Sequence, residues 1–143
     1  MDIWVDLIWT NRIFNNGDFE NDLYRDFTYI DDIIEGIVRL LGKPPVKSNE
    51  AAAHKVFNIG NNKPVKLMSF IYALEKALGN ALGEEVVFEK VFEPMKPGDV
   101  PATCASIDLL YREAEFKPET NIEDGLQRFA DWYVGYYGVK QGN

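Results

Sequence analysis

Along the chain, apolar residues fall into alternating short extended runs and longer stretches of helical period. Ile3, Leu7, Ile8, Ile13 and Phe14 lie roughly on one face, which predicts an amphipathic helix over residues 3–16, closed by Asn15-Asn16-Gly17. The next stretch, YRDFTYIDDIIEGIVRLL over residues 24–41, changes period midway. Phe27, Tyr29 and Ile30 belong to an extended run, whereas Ile33, Ile34, Ile37, Val38, Leu40 and Leu41 recur at helical spacing. Asp31 or Asp32 is expected to cap that helix, since a carboxylate accepts from the free first-turn N–H groups and suits the positive end of the dipole. Gly42 stops it, and Pro44-Pro45 prevent it resuming.

The second half repeats the alternation. After a polar loop, KVFNI over 55–59 predicts a short buried strand, and Gly60-Asn61-Asn62 a turn. A helix follows over 67–78, with Phe70, Ile71, Leu74, Ala77 and Leu78 as its stripe, Ser69 as a weak candidate cap and Gly79 beyond its end. EVVFEKV over 85–91 predicts another strand. The loop from Glu93 to Pro101 carries three prolines that stiffen an irregular backbone, which suits a ligand wall better than a core. A very short strand is expected over 102–105, then a helix capped by Ser106 or Asp108 and running through Leu109, Leu110 and Ala114. Thr120 or Asn121 caps the last helix, which carries Ile122, Leu126, Phe129, Ala130, Trp132, Tyr133 and Tyr136; residues 138–143 form a frayed tail. The pattern gives an α/β class: a small mixed sheet with helices packed around it, in one domain over 1–143.

Composition narrows the partners. The 143 residues, 46% apolar and 13% aromatic, suit one domain with a real core. A net charge of −8 argues against nucleic acid or an anionic membrane as the main partner, though a nucleotide needs only a local cluster of donors. A single cysteine, Cys104, leaves no internal disulfide and no cysteine zinc site. No signal peptide or membrane span is visible, because Ile3 to Ile8 is short and carries Asp6; the expectation is a soluble cytoplasmic protein.

The chemistry centres on Arg25, a fixed cation whose fork suits phosphate or carboxylate. The alternative is a local ion pair with Asp22 or Asp26. His54 sits in a run of alanines without a nucleophile motif and reads as a solvated loop residue. Asp31-Asp32 and Glu84-Glu85 read as a helix cap and a surface turn, not as a glycosidase pair.

RDFTYIDD with its apolar helix, then VFNIGNNKPVKLMSFIYALEKALG, PMKPGDVPAT and FKPETNIEDGLQRFADWYVGYY, resemble, in this order, the nucleotide-sugar epimerases and dehydratases among the extended short-chain dehydrogenases. The resemblance is strongest to UDP-glucuronate 4-epimerases. It covers residues 25–137, with 1–24 divergent; only DFENDLY separates Gly17 from Arg25, shorter than the family's strand and glycine turn. It implies the carboxy-terminal substrate lobe of an NAD-dependent enzyme, without its Rossmann domain. By resemblance, Arg25 contacts the diphosphate of a UDP-sugar, and Asp99, at the same pocket, accepts from a ribose hydroxyl or orients Arg25. Lys96 stands where related enzymes carry arginine or glutamine and would act as a point charge. Asn58 and Asn61 follow the family's Asn-Ile-Gly-Asn pattern, as ligand contacts or as turn formers. Cys104 replaces the tyrosine of the family's Thr-Tyr.

The family's cofactor turn and its catalytic Tyr-x-x-x-Lys pair are not matched. No Gly-x-x-Gly-x-x-Gly occurs, and Tyr136-x-x-x-Lys140 lies at the end of a terminal helix. The implication is a chain that binds a UDP-sugar, holds no cofactor alone and is not catalytic alone, with NAD belonging to the intact enzyme. Its partner would be a missing NAD-binding domain, or a second copy in a homodimer that buries the tryptophan-bearing N-terminal segment. The alternative is a free-standing, non-enzymatic binding or self-assembly module derived from that lobe.

Overall fold

The computed structural model describes residues 12–14, 23–47, 53–93 and 98–139. In chain order these form β1 (Arg12–Phe14), β2 (Tyr24–Arg25), α1 (Ile30–Leu41), β3 (Val65–Lys66), α2 (Leu67–Leu82), β4 (Val91–Glu93), α3 (Asp108–Ala114) and α4 (Ile122–Tyr137). β1 pairs with β4 in parallel, Ile13 opposite Phe92. β2 pairs with β3 antiparallel, Tyr24 opposite Lys66 and Arg25 opposite Val65, and Tyr24 bridges Ala102 on its other side. The α/β class holds, with the strands in two separate two-stranded sheets, one parallel and one antiparallel, where a single small mixed sheet was expected.

Two apolar clusters carry the packing. In the larger, Phe70, Ile71, Leu74, Ala77 and Leu78 of α2 meet Leu126 and Ala130 of α4. Phe27 leaves β2 to stack on Phe70, ring centroids 4.2 Å apart, and so pins the strand to this core. In the smaller, Ile107, Leu110 and Ala114 gather Leu40, Ile59 and Phe116 around α3.

Several local expectations give way to longer-range contacts. Residues 12–14 form a strand where a helix was predicted over 3–16, because pairing with 91–93 decides a run short enough to suit either period; Trp4 and Trp9 lie outside the described residues. KVFNI pairs with no described strand, and Val56 is 69% exposed. Within 85–91 only Val91 is in a strand: Glu75 of α2 accepts the Phe88 N–H at 2.7 Å and the Lys90 ammonium, which ties this stretch to the helix. The run at 102–105 reduces to the bridge at Ala102.

The caps differ too. α1 is entered from Tyr29 with no side-chain cap; Asp31 and Asp32 lie in its first turn, and Asp32 accepts the Thr120 N–H at 3.0 Å. α2 is entered from Lys66, not capped by Ser69, and runs past Gly79 to a left-handed Gly83 at φ 74°. α3 starts after Ile107 without a side-chain cap from Ser106 or Asp108. α4 is capped as expected by Asn121, whose Oδ1 accepts the Asp124 N–H at 2.8 Å.

Candidate functional site

The segment 23–26 lies between two others and is stitched to both. On one side are the β3 pairing and the Leu67 N–H bond to the Leu23 carbonyl, 2.8 Å. On the other, the Tyr24 N–H donates to the Pro101 carbonyl at 2.9 Å, and the Thr103 N–H donates to the Tyr24 carbonyl at 3.1 Å. β2 ends at Arg25, but side chains continue the stitching. The Asp26 N–H donates to Thr103 Oγ1 at 3.3 Å. The Asp26 carboxylate accepts the N–H groups of Asn62 at 3.1 Å, Lys63 at 3.3 Å and Ala105 at 2.8 Å. One carboxylate thus satisfies backbone donors from both neighbouring loops.

Arg25 projects from this frame. Its Nη1 donates to its neighbour's carbonyl, Tyr24 O, at 2.8 Å and to Pro101 O at 3.5 Å, and no described acid forms an ion pair with it. Asp26, weighed from the sequence as its partner, is engaged by the loops instead; Asp22 lies outside the described residues. Carbonyls orient the guanidinium without neutralising it, which suits an anion-facing cation.

Beside Asp26 opens a hollow of about 280 Å³, lined by Asp26, Thr28, Asn58, Gly60, Thr103 and Cys104, with Ile59 and Ala105 completing the wall. Its sides approach closely at Gly60: a Cβ there would fall 2.4 Å from the Ala105 Cβ and 2.9 Å from Asp26 Oδ2, so only glycine fits. Cys104, exposed, directs its thiol to Asn62 Oδ1 at 3.4 Å.

The five residues singled out from sequence separate in space. Arg25 precedes Asp26 in the chain but does not line the hollow, whereas Asn58 lies in its wall, its amide 3.5 Å from the Ser106 carbonyl. Asp99 is exposed on the loop leading to Pro101. Asn61 is turned inward and buried, its Nδ2 donating to the Thr120 carbonyl at 3.1 Å. Lys96 lies outside the described residues. Asp26, Thr28, Thr103 and Gly60 complete the site, and nothing in a single sequence announces a bond between Asp26 and a backbone amide seventy-nine positions away.

Electrostatics elsewhere are local. Glu113 is held below the usual carboxylate range by the Lys55 ammonium, first through a 2.7 Å hydrogen bond and then through its charge. Among the described residues no cluster of acids, histidine or cysteine could hold a metal ion, and no helix is long and apolar enough to cross a membrane.

No protein-family model matches the chain. It is 45% identical over 136 residues to Protein CapI of Staphylococcus aureus, covering 87% of this chain and 38% of that protein. It is 41% identical over 130 residues to a probable UDP-glucuronate 4-epimerase of Rhizobium meliloti (strain 1021), covering 82% of this chain and 36% of that protein. Among solved structures, UDP-glucuronic acid 4-epimerase from Bacillus cereus, in complex with UDP-glucuronic acid and NAD, superposes with a TM-score of 0.67 at 26% identity, covering 93% of this chain and 38% of that one. Fold and sequence together define the class, an α/β chain that matches part of the nucleotide-sugar epimerase fold. More particularly, the relatives it matches include UDP-glucuronate 4-epimerases, and the chain spans little more than a third of the length of the curated relatives named here.

NAD accompanies the structural neighbour, so its fit here is a fair question. Its pyrophosphate calls for a glycine-rich turn opening a helix. The described helices open from Tyr29, Lys66, Ile107 and Asn121, none in such a turn. These described helix starts do not fit the group.

Proposed function

We propose that this chain is the part of a UDP-glucuronate 4-epimerase-like protein that receives the sugar nucleotide, and that it is not catalytic alone. Arg25 meets the diphosphate, Lys96 adds a point charge, and Asp99 takes a ribose hydroxyl or helps orient Arg25. Asn58 offers its amide from the wall of the hollow, and Asn61 holds the turn beside it in place. The observation that carries this reading is Arg25 itself, a guanidinium set by two carbonyls and next in the chain to Asp26, which lines the hollow, in a chain 41% identical to a probable UDP-glucuronate 4-epimerase. In the whole protein NAD would supply the hydride chemistry at the sugar, and this portion would supply binding and orientation.

The test is a titration of the purified chain with UDP and with UDP-glucuronate, followed by amide chemical shifts. Saturable shifts at Arg25, Asn58, Lys96 and Asp99 are expected. A well-dispersed spectrum that does not move at millimolar ligand would overturn the reading. Epimerase turnover by the chain with added NAD would overturn the claim that it only binds.

A second reading, a binding or self-assembly module, draws on a different observation. Ile30, Ile34, Ile37, Val38 and Leu41 leave one face of α1 exposed, a patch of the kind that protein partners cover. Sedimentation of the chain across a concentration series tests it: a dimer favours this reading, and a monomer throughout counts against it.

A further inference from the structure

Asp26 has a role that its position next to Arg25 does not suggest. Its carboxylate lies just past the end of β2, where backbone pairing stops on both sides. It then accepts the Asn62 and Lys63 N–H groups from one loop and the Ala105 N–H from the other. Its own N–H engages Thr103 Oγ1. Both loops wall the hollow, and at Gly60 they approach Asp26 and each other too closely for a side chain. The same 101–103 stretch supplies the Pro101 carbonyl that orients Arg25. The carboxylate is therefore the shared anchor of the cation on one side and the hollow on the other. An amide cannot replace it fully, because its NH2 would face a backbone donor where a carboxylate oxygen accepts.

We propose that Asp26 is a positioning residue for a nucleoside diphosphate sugar: it locks the 58–63 loop, whose residues 58–60 wall the hollow, and the 103–105 wall to the strand bearing Arg25, so that cation and hollow bind the ligand as one unit. This rests on the sugar-nucleotide reading above. Ligand held at Arg25 and in the hollow then slows the opening of the walls, and loosening of the walls weakens the ligand by the same linkage.

The experiment combines titration with UDP-glucuronate and hydrogen exchange at the amides of Asn62, Lys63 and Ala105, in the wild-type chain and in Asp26→Asn. The amides of Leu74 and Leu126 report the main core. In the wild type, ligand is expected to slow exchange at the three wall amides. In Asp26→Asn those amides are expected to exchange at least tenfold faster and affinity to fall at least tenfold, with saturating ligand slowing the exchange again but not to the level of the ligand-bound wild type, while Leu74 and Leu126 are unchanged. Gly60→Ala parts the same contacts but keeps the carboxylate; it is expected to reproduce the effect, and it decides the matter if Asp26→Asn loosens the main core. Wild-type affinity in Asp26→Asn, with the walls loosened or not, overturns this assignment alone. Absence of binding by the wild-type chain overturns the functional reading, and this assignment with it.

Discussion

α1 and α2 are both helices with one apolar face, yet the molecule treats them differently. α2 turns Phe70, Ile71, Leu74, Ala77 and Leu78 against α4, and every one of them is buried. α1 carries an equally regular stripe, Ile30, Ile34, Ile37, Val38 and Leu41, and leaves it exposed, with Leu41 75% accessible. Only Gly36 of α1 is fully buried, where Ile59 and Phe116 pass over it. Beyond that contact and Leu40 in the smaller cluster, polar ties hold α1: Asp32 takes the Thr120 N–H, Arg39 donates to the Glu115 carbonyl, and Lys43 donates to the Glu113 carbonyl. Periodicity thus says that a face exists to be covered. It does not say what covers it, because burial belongs to the element opposite.

The comparison can be broken by substitution. Leu74→Ala removes a side chain from the centre of the α2–α4 contact and is expected to cost about 2–5 kcal/mol in urea unfolding. Asn121→Ala removes the cap of α4 and is expected to cost about 1 kcal/mol by the same measurement. Ile34→Glu alters the α1 stripe where it is 52% exposed; it is expected to stay within about 0.5 kcal/mol of wild type, the range of ordinary surface changes. A loss at Ile34 comparable to that at Leu74 would mean that the α1 face is covered in solution.

The same contrast explains what the sequence made legible. The helices at 30–41, 67–82, 108–114 and 122–137 were readable because each carries an apolar period, and the two at the chain's core found a partner within the chain. The strands were not, because a strand is completed by another segment. KVFNI has strand composition without a described partner, whereas Arg12–Phe14 became a strand through pairing with residues 91–93. In the site, Arg25 stood out because a cation with a fork has few chemical uses. Asp26 beside it read only as a charge partner, since its bonds go to backbone groups of Asn62, Lys63 and Ala105 that no side-chain pattern encodes. Asn61 matched a motif, but its amide faces the interior and Thr120.

The smallest effect tests whether the polar ties around α1 act as charge pairs. Lys55, at the head of the KVFNI segment, reaches Glu113 on α3, and this lowers the Glu113 pKa; the charges of Arg112 and Lys43 add to it, and desolvation opposes it. A carboxyl whose folded-state value is depressed contributes stability above its ordinary value, and that contribution is lost as pH falls through the folded value. The pair is exposed, so the effect is salt-screened and slight on the whole fold. It is visible in the group itself: Lys55→Met is expected to raise the Glu113 titration midpoint, followed by the side-chain carboxyl carbon shift against pH. The midpoint should not return fully to the ordinary range, because Arg112 and Lys43 remain. An unchanged midpoint would mean that Lys55 does not hold Glu113 in solution, and that the segment from 55 to 59 is tied to α3 by Ile59 alone.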